Sequence, residues 1–102
     1  GVTVKGVTLT ANGFYGPQGR ELRLPIEMPT VNDEIAHFRF GNHKIVNYEM
    51  ESAAIAGLAA LMGHRATTIC LIIANRANGD ASADYKPHMK KLIEYTLNSL
   101  IR

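Results

Sequence analysis

Two glutamates flank a methionine in Asn47-Tyr48-Glu49-Met50-Glu51-Ser52-Ala53, where an extended pattern gives way to a helical one. A carboxylate near a helix N-terminus is favoured by the helix dipole by roughly 0.3–1 kcal/mol, so the pair could simply cap the helix while Met50 fills a packing gap. The same residues could instead hold a polar ligand. An ionised carboxylate only accepts hydrogen bonds, which suits Glu51 to the hydroxyls of a vicinal diol such as a ribose, with Met50 against the apolar sugar face. A second set lies upstream, in Thr10-Ala11-Asn12-Gly13-Phe14-Tyr15-Gly16-Pro17-Gln18-Gly19-Arg20. Phe14 offers a flat ring for stacking, Gln18 a donor and an acceptor, and Arg20 a permanent cation. Together they match the imide N–H and two carbonyls of a ring such as uracil. A donor such as Arg20 strengthens its bond as negative charge builds on a departing ring. One charge-assisted hydrogen bond is worth about 1.5–3 kcal/mol, or about one to two orders of magnitude in rate. Read for turn content alone, Gly13, Gly16, Pro17 and Gly19 make a hairpin loop with Gln18 and Arg20 at its surface.

Those side chains need a scaffold. Val2 to Thr10 alternates and is β-branched, which predicts a strand. Pro25 and Pro29 limit residues 21 to 30 to a short extended stretch, Leu22-Arg23-Leu24, before a turn. Asn32-Asp33-Glu34 then caps a short helix through about Phe38, with Val31 and Ile35 on one face. A strand over Ile45 to Tyr48 leads into a helix over about Glu51 to Met62, with Ile55, Leu58 and Met62 at spacings of three and four and Gly63 as its stop. Arg65 to Ala74 reads as the next strand. Its continuous apolar run is typical of a parallel strand covered on both faces, and makes Cys70 a buried core thiol. Asn78-Gly79-Asp80 marks a turn with Asp80 as a loop residue. Ser82 and Asp84 are candidate caps for a last helix that carries Pro87 in its first turn and a core face from Met89 to Ile101. Alternating strands and helices argue a layered α/β fold.

The chain has 102 residues and 11.2 kDa, enough for one small domain that buries roughly two-thirds of its unfolded surface. A net charge of +2, with the basic residues dispersed, argues against nucleic acid as a partner. No apolar run approaches the ~20 residues that cross a membrane, and nothing from Gly1 onward resembles a signal peptide. His37, His43, His64 and His88 show no metal-ligand spacing. The single cysteine excludes an internal disulfide and agrees with a cytoplasmic location.

Three motifs, in order, carry a resemblance that extends along nearly all 102 residues. Tyr48-Glu49-Met50-Glu51-Ser52-Ala53 resembles the ribose-binding motif of the nucleoside phosphorylase and nucleosidase superfamily. Thr10 to Arg20 resembles the loop with which its uridine phosphorylases read the pyrimidine, and Ile72-Ile73-Ala74-Asn75-Arg76 resembles their strand end beside the base. The resemblance implies an α/β fold with a layered mixed sheet and flanking helices, of which residues 1–102 are a C-terminal part. It implies that Phe14 stacks near the nucleoside, that Gln18 and Arg20 bind uracil with Arg20 as the catalytic residue, and that Glu49, Met50 and Glu51 line the ribose. Ile73 and Ala74 would wall the base site, and Arg76 would stand in the loop that covers it. Purine-cleaving relatives generally place an aspartate near position 75; Asn75 cannot act as a general acid, which favours a pyrimidine.

The implied reaction is phosphorolysis of uridine to uracil and ribose 1-phosphate in a homo-oligomer, a hexamer by family resemblance. Inorganic phosphate is the co-substrate, and no metal or other cofactor is implied. In the family the phosphate site comes mainly from an N-terminal half, and none of it precedes Gly1 here. These 102 residues alone are therefore expected to be inactive. The alternatives are a hydrolytic nucleosidase of the same superfamily and a non-catalytic nucleoside-binding or assembly module.

Overall fold

The computed structural model describes residues 3–75, 79 and 81–101, which fall into two units, Gly1–Thr68 and Ile69–Arg102. The first holds β1 (Val7–Thr10), a 3₁₀ turn (Gly16–Gln18), α1 (Val31–His37), β2 (Ile45–Glu49) and α2 (Ser52–Leu61). The second holds α3 (Lys86–Leu100). This is a small α/β arrangement.

β1 and β2 pair in parallel, and their register slips by one residue. Val7 stands opposite Ile45, but Thr8 stands opposite Asn47, so Val46 is an extra residue on β2. Backbone bonds show the same offset: the Val7 N–H donates to the Lys44 carbonyl and the Ala11 N–H to the Glu49 carbonyl, both at 2.9 Å. Bulges are rare in parallel pairs and re-aim the side chains that follow them. Gly6 accommodates this one, since a Cβ there would come within 2.5 Å of Val46 Cγ1. Beyond the slip, Thr8 faces Asn47 and Thr10 faces Glu49, one strand repeat apart on one face. The Thr8 hydroxyl donates to Asn47 Oδ1 at 2.8 Å.

α2 follows β2 directly and packs back on β1, as a β-strand followed by a crossover helix must to cover its sheet. It stops at Leu61, with Gly63 in the left-handed conformation at φ 75°. In α1, Asp33 and Glu34 occupy the first turn where the dipole favours them, and the Thr30 hydroxyl donates to Glu34 Oε1 at 3.1 Å. Val31 and Ile35 are its half-buried positions. α1 is also the brace of the loop before it. Gly19, at φ 73°, lies so close to α1 that a Cβ would meet Asn32 Nδ2 at 2.4 Å, while Asn32 Oδ1 accepts from the Tyr48 hydroxyl at 2.9 Å.

In the second unit, the Asp84 carboxylate accepts from the Lys86 N–H at 3.2 Å and Pro87 occupies the first turn of α3. An isolated antiparallel bridge joins Ala74 to Ala81, and the Ser82 N–H donates to the Ile73 carbonyl at 2.6 Å.

Several sequence expectations are corrected. Among the described residues of the predicted first strand only Val7–Thr10 are paired, against the five residues of β2. Arg65 to Ala74 is no strand either: it straddles the two units, and in the first an opening of about 250 Å³ is lined by Gly6 and Thr8 of the β1 segment and by Ala66, Thr67 and Thr68. Cys70 is accordingly half-buried rather than a core thiol. The sheet described is parallel and two-stranded, so the mixed sheet and its layers are not seen. Ala11 is the only buried apolar residue among those described, and Ile93, Leu97, Leu100 and Ile101 of the predicted α3 core face are exposed. Arg76, Asp80 and part of the expected 78–80 turn lie outside the described residues.

Replacing Gly19 by Ala forces a Cβ into Asn32 from a positive φ. It should destabilise the first unit by about 1–3 kcal/mol, read as a lower urea midpoint. Gly57→Ala, inside α2 with nothing within 4 Å, is the control and should raise stability by about 0.5–1 kcal/mol.

Candidate functional site

The junction of β2 with α2 is built around one carboxylate. Glu49 ends β2, and Glu51 is the residue before the first turn of α2 but makes no side-chain cap itself. Glu49 takes over that role. Its Oε2 accepts from the Glu51 and Ser52 N–H groups, each at 2.6 Å, and its Oε1 accepts from the Thr10 hydroxyl. The Thr10 oxygen in turn accepts from the Ala53 N–H at 3.0 Å. Three consecutive amides at the helix start, which have no partner within a helix, are satisfied this way. Desolvation by itself would raise the Glu49 pKa, but the Thr10 hydroxyl and the Glu51 and Ser52 amides outweigh it and hold the carboxyl at about 2, well below its ordinary 4.5.

The two glutamates thus differ in availability. Glu49 is ionised and its oxygens are engaged. Glu51 is exposed, and its carboxylate accepts no hydrogen bond among the described residues. Met50, between them, is 41% exposed. The sequence left open whether the pair caps the helix or binds a ligand; the capping falls to Glu49, and the Glu51 carboxylate is left exposed.

The loop after β1 brings Phe14, Gln18 and Arg20 together. The 3₁₀ turn and the left-handed Gly19 fold the chain back, with the Arg20 N–H donating to the Tyr15 carbonyl at 2.9 Å. Arg20 then lies over the Phe14 ring, its Cζ 3.6 Å from the centroid. Its Nη1 donates to the Phe14 carbonyl and to Gln18 Oε1, the latter at 2.9 Å. Gln18 is 5% exposed, so it buttresses Arg20 from below. A guanidinium carries five N–H donors, and the two on Nη1 fix its plane, leaving those on Nε and Nη2 without a described partner. One face of Phe14 is covered by Arg20, yet the ring stays 51% exposed, with Tyr15 packed edge-on at 5.2 Å.

Both clusters leave the carboxyl ends of neighbouring parallel strands, the side on which open α/β sheets bind ligands. The Ala11–Glu49 backbone bond and the Tyr48–Asn32 contact tie them together. The remaining expected residues lie outside the first unit or outside the described residues. Ile73, 44% exposed, and Ala74 belong to the second unit, and Arg76 lies outside the described residues. An open groove of about 960 Å³ is walled by Leu22, Ile26, Met28 and Val31 and includes Arg20 alone of the expected site residues. Among the described residues no cluster of His, Cys, Asp and Glu is arranged for a metal, and no helix is long and apolar enough to cross a membrane. Sequence reading missed Thr10 and Asn32. Thr8 and Thr10 alternate against Asn47 and Glu49 with the period of a strand, a signal that becomes visible only when the two segments are aligned through the bulge.

The sequence profile of the phosphorylase superfamily matches residues 2–100. Uridine phosphorylase A of Schistosoma mansoni is 40% identical over 78 residues, covering 76% of this chain and 26% of the relative. Inactive uridine phosphorylase B of the same organism is 40% identical over 78 residues with the same coverage. The chain therefore spans about a quarter of the length of these curated relatives. No solved structure gives a significant match.

Because the Glu49 carboxyl titrates lower in the folded chain than in the unfolded one, its contribution to stability is fully present above about pH 4.5 and is lost as the pH falls towards about 2. Urea midpoints measured at pH 7, 4 and 2.5 should fall across that window. Glu49→Gln should lower the midpoint at pH 7 and flatten the fall.

Proposed function

Since the chain belongs to the phosphorylase superfamily, we propose that it supplies the base- and ribose-binding portion of a pyrimidine nucleoside phosphorylase that converts uridine and phosphate to uracil and ribose 1-phosphate. The observation that supports this reading best is the pairing of an anchored, partly free Arg20 with an exposed, unengaged Glu51 at the ends of adjacent parallel strands. One presents N–H donors and the other presents acceptors, as a nucleoside with carbonyls at one end and hydroxyls at the other requires.

In this reading Gln18 and Arg20 take the uracil beside Phe14. Arg20 donates to the carbonyl that gains negative charge when the glycosidic bond breaks, so its bond is stronger in the transition state than in the bound substrate. Its anchoring through Nη1 means that it does not have to reorganise as that charge appears. Glu51 accepts from the ribose hydroxyls and Met50 packs on the sugar. Ile73, Ala74 and Arg76 complete the base side. Phosphate attacks the anomeric carbon as uracil leaves; we assign it no residue of this chain, and place its site in the rest of a longer parent. β1 and β2 are then two strands of a layered mixed sheet in a homo-oligomeric cytoplasmic enzyme.

A second reading has a specific observation in its favour. The relative named inactive is as similar to this chain as uridine phosphorylase A, which favours a reading of this chain as nucleoside-binding without catalysis. Phosphate-dependent release of uracil from uridine by a full-length protein carrying these residues separates the two. Arg20→Ala should cut that turnover at least about tenfold, the loss of one charge-assisted bond at the transition state. Unchanged turnover would remove Arg20 from the site. Uracil release that needs no phosphate would mark a hydrolase. Saturable uridine binding with no release at all would favour the non-catalytic reading.

A further inference from the structure

We propose that Thr10 is a positioning residue for sugar recognition, acting through Glu49 and the start of α2 to fix where the Glu51 carboxylate stands. The inference rests on the reading of Glu51 as the ribose ligand. Thr10 is the last residue of β1, and its hydroxyl works in both directions: it donates to Glu49 Oε1 and accepts from the Ala53 N–H at 3.0 Å. Only a hydroxyl can do both at one atom. Through it, the ends of β1, β2 and α2 meet at a single oxygen.

Glu51 stands inside the loop that this oxygen closes. Its own N–H is held by Glu49 Oε2, and the two residues that follow it are held by Glu49 and by Thr10. The backbone on both sides of Glu51 is therefore fixed, whereas its side chain is free to meet a ligand. Removing the Thr10 hydroxyl leaves Glu49 Oε1 and the Ala53 N–H each short of a partner, and releases the chain that carries Glu51. A ligating side chain held loosely by its surroundings loses much of its effect, because it must be within about 0.5 Å of the productive geometry. The base loop is braced separately, by Gly19 against Asn32 and by Arg20 against Phe14 and Gln18. Loss of the Thr10 hydroxyl should thus be felt at the sugar and not at the base.

The test is calorimetric titration of the chain with uridine and, separately, with uracil, comparing the native sequence with Thr10→Val and Thr10→Ser. Thr10→Val keeps the shape without the hydroxyl and should weaken uridine at least about fivefold, while uracil stays within about twofold. Thr10→Ser restores the hydroxyl and should bind uridine within about twofold of native. Equal uridine affinity in native and Thr10→Val overturns the inference and leaves the proposed function standing. Parallel loss of uridine and uracil in Thr10→Val overturns it as well, since that is damage to the fold rather than to the sugar site. A native chain that binds uridine no better than uracil overturns the assignment of Glu51 itself, and with it this inference.

Discussion

An ionised carboxylate at the end of a strand cannot be left without donors, and the arrangement around Glu49 follows from that constraint. Its oxygens draw in the Thr10 hydroxyl and two backbone amides, and those partners define where β1 ends and where α2 begins. The usual division in which a helix carries its own capping side chain is replaced here by a cap from the preceding strand. The result is a strand, a neighbouring strand and a helix locked at one point. Among the described apolar residues only Ala11 is buried, so polar contacts at this point stand out.

The two clusters at the strand ends share a design. In each, part of the polar capacity is used internally and part is left over. Arg20 uses Nη1 to grip Phe14 and Gln18, and keeps Nε and Nη2. The glutamate pair uses Glu49 to hold the backbone and keeps Glu51. Preorganisation of this kind is what gives a hydrogen bond to a developing charge its effect, since the donor does not move when the charge forms. The internal grips serve the fold whether or not chemistry follows.

Much of this was legible in the sequence, and the failures have a common cause. The helices were read well because their signals are local: Gly63 beyond α2, Asp84 and Pro87 at the start of α3, Val31 and Ile35 on one side of α1. The strand at 65–74 failed because a strand is defined by its neighbour, and an apolar run contains no information about whether one is there. Of the residues named from the motifs, the Phe14–Arg20 loop and the Glu49–Glu51 run follow the two strand ends, yet the unequal engagement of the two glutamates was hidden. Whether Glu49 or Glu51 is the occupied carboxylate depends on which of them meets Thr10, and that depends on a register slip with no sequence signature of its own. Gln18, expected to read the base, is 5% exposed and its Oε1 accepts from Arg20 across the left-handed Gly19, a pairing that the spacing alone does not announce.

The bulge at Val46 also constrains how this stretch can vary in length. Four residues of β1 run against five of β2, and only that mismatch brings Thr10 level with Glu49. Deleting Tyr48, beyond the slip, would set Thr10 opposite a neighbour of Glu49 and turn the carboxylate to the other face of the pair. The segment from 21 to 30 carries no such register and lies on the surface, where added or lost residues cost little. Insertions and deletions among related chains should therefore gather between Arg20 and α1 and spare the run from β2 into α2, so that gaps in an alignment trace the mechanical skeleton of the site.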